Sequence, residues 1–135
     1  MKWLHRFDRL SEFIRSEDGS YTAEAVIWTP VFALIIGLMA DVSMIFGDQS
    51  LVLRQVEDTN RSLATGYFAS TSAAQTYLQN EVKAISPNAK VSVTLSGNIF
   101  TTVVSMPTSD LTATTLVSAF NNATVYVKSS QMSEM

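Results

Sequence analysis

The chain has 135 residues, one domain's worth by size, with 47% apolar and 16% charged residues and a formal net charge of -3. That balance offers no basic stripe for nucleic acid, and the absence of cysteine excludes a disulfide framework, a thiol nucleophile and thiolate metal sites. The only histidine, His5, stands near Arg6 and Arg9 with no second imidazole for a metal pair or a base dyad.

At the N-terminus, Trp3, Phe7, Leu10 and Ile14 recur at alternating steps of four and three, the stripe of an amphipathic helix able to lie on the inner membrane surface. From Ala25 to Phe46 the run AVIWTPVFALIIGLMADVSMIF holds twenty-two residues and one charge, Asp41. As a helix it spans roughly 33 Å at 1.5 Å per residue, against a hydrocarbon core about 30 Å thick. The rest of the chain offers too little apolar surface to cover every side of such a helix, so the run reads as a membrane span. Pro30 lacks an N–H and takes away the partner of the Val26 carbonyl, a defect that membrane helices tolerate when a hydroxyl such as that of Thr29 re-satisfies the backbone. Gly37 is small enough to admit a neighbouring helix. Lys2, Arg6, Arg9 and Arg15 precede the run, against Arg54 and Arg61 after it, and the positive-inside bias therefore puts the N-terminus in the cytoplasm.

Residues 49–68 continue the helical period through Leu53, Val56, Leu63 and Tyr67, with Asn60 interrupting the stripe. The span is expected to run straight into this stem. A second helical stretch over Ser72 to Ile85 carries Ala74, Leu78, Val82 and Ile85 on one face and stops at Ser86-Pro87-Asn88. The period then changes to two: Val91, Val93 and Leu95 alternate with polar residues, Ser96-Gly97-Asn98 turns, and Ile99 to Met106 returns as the second strand of a hairpin. Leu111 to Phe120 is ambiguous between a short helix and irregular structure, Ala123 to Lys128 reads as a last strand, and the tail SSQMSEM has no core-forming pattern. The expected fold class is α+β, divided into a leader (1–19), a membrane-spanning helix (20–48), a helical stem (49–86), a small antiparallel β-rich domain (87–129) and a tail (130–135).

Catalysis needs convergent groups, and the part beyond the span has only scattered carboxylates at Asp48, Glu57, Asp58, Glu81, Asp110 and Glu134. No pair has the spacing of a glycosidase or metal site, the serines and threonines lack a candidate base, and neither a P-loop nor a dinucleotide fingerprint is present. The chain reads as a non-enzyme, with no catalytic, cofactor-binding or metal-binding residues.

The junction before the span is more specific. Gly19 ends the charged leader and Glu24 stands five residues on, at the edge of the apolar run. G-S-Y-T-A-E followed at once by an apolar helix resembles a type IV prepilin processing site. With Pro30, then Gly37 seven residues later and Asp41 four after that, residues 13–48 resemble the TadE/TadF-like family of minor pseudopilins from the tight-adherence (Flp) pilus system. Ser20 in place of the phenylalanine usual in conventional type IV pilins, and the early Pro30, favour that branch.

The resemblance implies that a prepilin peptidase cuts after Gly19, making Ser20 the new N-terminus and Glu24 the fifth mature residue. It further implies a structural role in pilus biogenesis at the bacterial inner membrane, with the C-terminal domain periplasmic. The partners would be other pilins, pseudopilins and pilus assembly proteins. An ionised Glu24 beside hydrocarbon needs a counter-charge, and cleavage creates one, since the α-amino group of Ser20 is positive near neutral pH; Glu24 of one subunit can meet that amine on another. Asp41 is expected to reach water or a partner's polar group within the membrane, and Asn60 to set register between helices. Two other readings stay open: a secreted protein with a signal peptide cleaved after Ala40, and an uncleaved single-pass membrane scaffold.

Overall fold

Residues 18–114, 116–117 and 123–134 are described by this computed structural model, with side chains from residue 21 onward. The amphipathic leader stripe and His5 lie outside the described residues, as do Thr115 and residues 118–122 of the ambiguous segment. The chain divides into two units, Met1–Ile36 and Gly37–Met135.

In the first unit the described residues belong to one helix, α1, which spans 47 residues, Asp18–Ala64, and so continues into the second unit. Val26, Ile27, Trp28, Phe32 and Ile36 are all exposed, and only 6% of the most apolar window of α1 is buried. A helix this long and apolar can cross a membrane, and the low burial separates it from a core helix covered by its own chain. Pro30 lies inside α1 without ending it. The Thr29 hydroxyl does bond to the backbone, but it donates to the Ala25 carbonyl at 2.6 Å rather than to that of Val26, because a threonine on a helix reaches the carbonyl four residues back.

In the second unit, α1 runs from Gly37 to Ala64 and stops in a Schellman turn. Tyr67 N–H donates to Ser62 O at 2.9 Å and Gly66 N–H to Leu63 O at 3.2 Å, with Gly66 in the left-handed region at φ 78°. A second helix, α2 (Thr71–Val82), starts at Ser70, whose hydroxyl accepts from Ala73 N–H at 3.2 Å as an N-cap. Strands β1 (Lys90–Ser96), β2 (Ile99–Pro107) and β3 (Thr124–Met132) form an antiparallel sheet in that order, with a 3-10 turn at Thr108–Asp110. The β1–β2 hairpin closes over Gly97 and Asn98, since Ser96 pairs with Ile99, and Gly97 takes the positive φ of 61° that such a tight turn needs.

One face of the sheet is apolar: Val91, Val104 and Val127 lie in register, and Phe100, Met106 and Val93 share their side. These pack into one core with Val52, Val56 and Leu63 of α1 and Ala74, Leu78 and Val82 of α2. The expected face of the second helix therefore meets the core, with Ile85 packed against it. The stem stripe is corrected by one position. Val56, Asn60 and Leu63 are buried as expected, whereas Leu53 and Tyr67 are exposed and Val52 and Thr59 turn inward instead. Leu51, Val52 and Leu53 are all apolar, so local pattern alone does not decide which of the three turns inward. Asn60 is not at a helix seam; its Oδ1 accepts from Thr102 Oγ1 on β2 at 2.5 Å, inside the core.

Two further links tie the elements together. At the free edge of β1, Val91 N–H donates to Gln79 Oε1 at 3.0 Å and Val93 N–H to Gln75 Oε1 at 3.3 Å, while Gln79 Nε2 donates to Ala89 O at 2.7 Å. Two glutamines one helical turn apart thus take the place of a neighbouring strand and block edge pairing there. At the other end, β3 extends past Lys128 to Met132, and Asn98 holds the residue beyond it, accepting from Ser133 N–H at 2.8 Å and donating through Nδ2 to Ser133 O at 3.1 Å.

Asp110 fastens the turn after α2 to the turn after β2. Its Oδ2 accepts from Ser86 Oγ at 2.7 Å and Asn88 N–H at 3.0 Å, and its Oδ1 from Asn88 Nδ2 at 3.1 Å. Burial by itself raises this carboxyl's pKa, but the hydrogen bonds from Ser86 and Asn88 outweigh it and hold the group below its usual range. A folded pKa below the unfolded one stabilises the fold above about pH 4, and the contribution is lost as pH falls through the folded value. Urea denaturation of Asp110→Asn should therefore give a flatter loss of stability than the parent between about pH 5 and pH 2; an equally steep loss would show that the clamp contributes nothing.

Candidate functional site

The residues singled out by sequence all lie on α1, at two levels. Gly19 and Ser20 are in its first turn. The first amides of a helix have no partner within it, so this turn is held by fewer backbone hydrogen bonds than the rest of α1. Glu24 follows one turn later, exposed, on the same strip as Tyr21, Ala25, Trp28 and Phe32. The Trp28 and Phe32 rings sit 6.2 Å apart along it. Among the described residues no hydrogen bond or ion pair reaches Glu24. The strip sets one carboxylate beside exposed aromatic rings near the positive end of the helix.

The second level is Gly37 and Asp41, four residues apart and so on one face. A Cβ added at Gly37 would stand 2.6 Å from Leu116 Cδ1. The missing side chain is the space that Leu116 occupies. Asp41 has no exposed surface and accepts three hydrogen bonds: Thr114 N–H to Oδ1 at 2.7 Å, Thr114 Oγ1 to Oδ2 at 2.7 Å and Val117 N–H to Oδ2 at 3.2 Å. Its expected partner, water or another subunit, is replaced by a segment of the same chain. That segment, residues 111–117, is part of the stretch that propensity left ambiguous. Leu111 plugs it into the core and Asp41 takes up its free amides.

Gly37 and Asp41 therefore form a socket for the chain's own C-terminal half, and of the two acidic residues in the apolar half of α1 it is Glu24 that has no partner among the described residues. Sequence reasoning found both acidic residues but not Thr114, Leu116 and Val117, whose role depends on a contact more than seventy residues away along the chain. The only hint was a backbone-binding carboxylate one turn after a glycine. Among the described residues no three histidine, cysteine, aspartate or glutamate side chains converge as a metal site would require. No family model, curated protein or solved structure matches the chain.

Proposed function

We propose that the chain is a TadE-like minor pseudopilin: a non-catalytic, single-pass protein of the bacterial inner membrane, cut by a prepilin peptidase after Gly19, that serves in the biogenesis of a tight-adherence (Flp) pilus. Its N-terminus is cytoplasmic, the unit beginning at Gly37 projects to the periplasmic side, and its partners are other pilins, pseudopilins and assembly proteins. The observation that carries this reading is α1. One uninterrupted helix begins beside Gly19, bears Glu24 on an exposed apolar half, and continues as the stem beneath a small antiparallel sheet.

The socket supports a placement of the helix in the bilayer. From Tyr21 to Asp41 is twenty residues, roughly 30 Å of helix and the thickness of a hydrocarbon core. Asp41 then stands at the outer headgroups, where the polar segment around Thr114 meets it, and the span ends near residue 40 rather than at 48. Glu24 stays at the inner end, within reach of a neighbouring subunit's Ser20 amine.

Replacing Glu24 by alanine leaves the processing turn and the socket untouched and removes only the unpaired carboxylate. Glu24→Ala is expected to be processed to nearly the normal extent while pilus production falls severely, read by immunoblot of the membrane fraction and electron microscopy of the cells. Normal pili would remove the assembly role of Glu24.

A further inference from the structure

Where α1 ends and the chain turns back into α2, the second unit has a cleft of about 280 Å³ that the proposed function does not use. Gln55, Asp58 and Ser62 line one wall from α1, and Tyr77 and Glu81 line the other from α2, with Tyr67 and Phe68 of the connecting turn at the end. The three rings form a continuous aromatic corner. Tyr67 meets Phe68 edge-on at 5.3 Å, and Phe68 is tilted against Tyr77 at 5.4 Å. Tyr67 and Tyr77 are exposed, at 80% and 50% of their surface.

The lining has two carboxylates and no basic residue, and neither Asp58 nor Glu81 is paired with a cation among the described residues. Gln55 contributes an acceptor, Oε1, that is buried and has no hydrogen-bond partner among them. A broad terminal torsion lets a glutamine amide turn toward an arriving donor. Aromatic faces attract cations, the carboxylates supply the charge, and the acceptors come from both walls.

We propose that this cleft binds the guanidinium group of an arginine presented by a partner polypeptide. A planar cation with five donors suits a site that combines ring faces with acceptors in several directions, and it stacks on tyrosine in a way that a lysine ammonium does not. The cationic headgroup of a lipid is a poor alternative. Asp58 is seventeen residues beyond Asp41 on the same helix, roughly 26 Å further from the membrane surface. That exclusion alone rests on the membrane placement proposed above; the cleft's chemistry does not depend on the pilus reading.

The test is a titration of the full chain in lipid nanodiscs, followed by NMR of ring-labelled tyrosine and phenylalanine. N-acetyl-arginine amide should shift the Tyr67, Phe68 and Tyr77 ring signals and saturate in the millimolar range, whereas the neutral isostere N-acetyl-citrulline amide should not. Glu81→Gln should weaken the arginine response about fivefold, with the core signals unmoved as evidence that the variant is folded. Equal shifts from citrulline, no saturation with arginine, or an unchanged response in Glu81→Gln would each overturn the proposal. Saturation by tetramethylammonium at lower concentration than by arginine would overturn it in favour of a small quaternary ammonium ligand.

Discussion

Replacing Asp41 by alanine should release Thr114 and Val117 from α1 while leaving the helix itself intact. Alanine is the best helix former, so α1 loses nothing locally. The loss falls on the other side of the contact. The amides of Thr114 and Val117 and the hydroxyl of Thr114 all lose their acceptor at once, and hydrogen bonds to an ionised acceptor are the stronger kind. The segment then opens, and amide hydrogen exchange at Thr114 and Val117 should accelerate by about tenfold or more. Asp41→Asn keeps one carbonyl oxygen and should fall between the parent and the alanine variant. Unchanged protection at Thr114 in Asp41→Ala would mean that Leu111 and Leu116 hold the segment without the carboxylate.

The second large effect is expected in the core. Leu78 is wholly buried on α2, in the same cluster as Val52 and Val56 of α1 and Val104 and Met106 of β2. Leu78→Ala removes apolar contact and leaves a cavity between helix and sheet layers that cannot collapse independently, at a cost of about 2–5 kcal/mol. A small domain has about 5–15 kcal/mol in total, so the variant should melt roughly 10 °C or more below the parent. Leu95→Ala is the matched control. Leu95 is 53% exposed at the hairpin tip, and its truncation should change stability by under about 0.5 kcal/mol. Thermal unfolding of the full chain followed by circular dichroism decides between them; similar melting temperatures for the two variants would contradict the core described here.

The elements legible in the sequence are those whose cause is local. The apolar run that becomes the first half of α1, the Ala74, Leu78, Val82 face of α2, and the alternating hairpin around Gly97 each follow from spacing within a few residues. What the sequence hid depends on distant partners. The inward face of the stem takes Val52 rather than Leu53: three apolar residues stand in a row, and only packing into the core selects among them. Strand β3 reaches Met132 through SSQM, a run with no apolar alternation, because backbone pairing to Ile99 and Phe100 and the Asn98 clamp on Ser133 carry it. The two glutamines that cover the β1 edge look like ordinary helix-surface residues until the strand is beside them. At the candidate site, Glu24, Gly37 and Asp41 stood out as exceptions inside an apolar run. The division of labour between them did not, since Asp41 and Gly37 serve a segment of the same chain and Glu24 alone is left facing outward.

The central claim is that Gly19 and Ser20 mark a cut and that Glu24 awaits the amine which the cut creates. The most direct measurement is the intact mass and N-terminal sequence of the protein recovered from its native membrane. The account predicts a chain beginning at Ser20. A chain beginning at Met1 would contradict it in favour of an uncleaved anchor, and one beginning at Asp41 would contradict it in favour of a secreted protein released by signal peptidase.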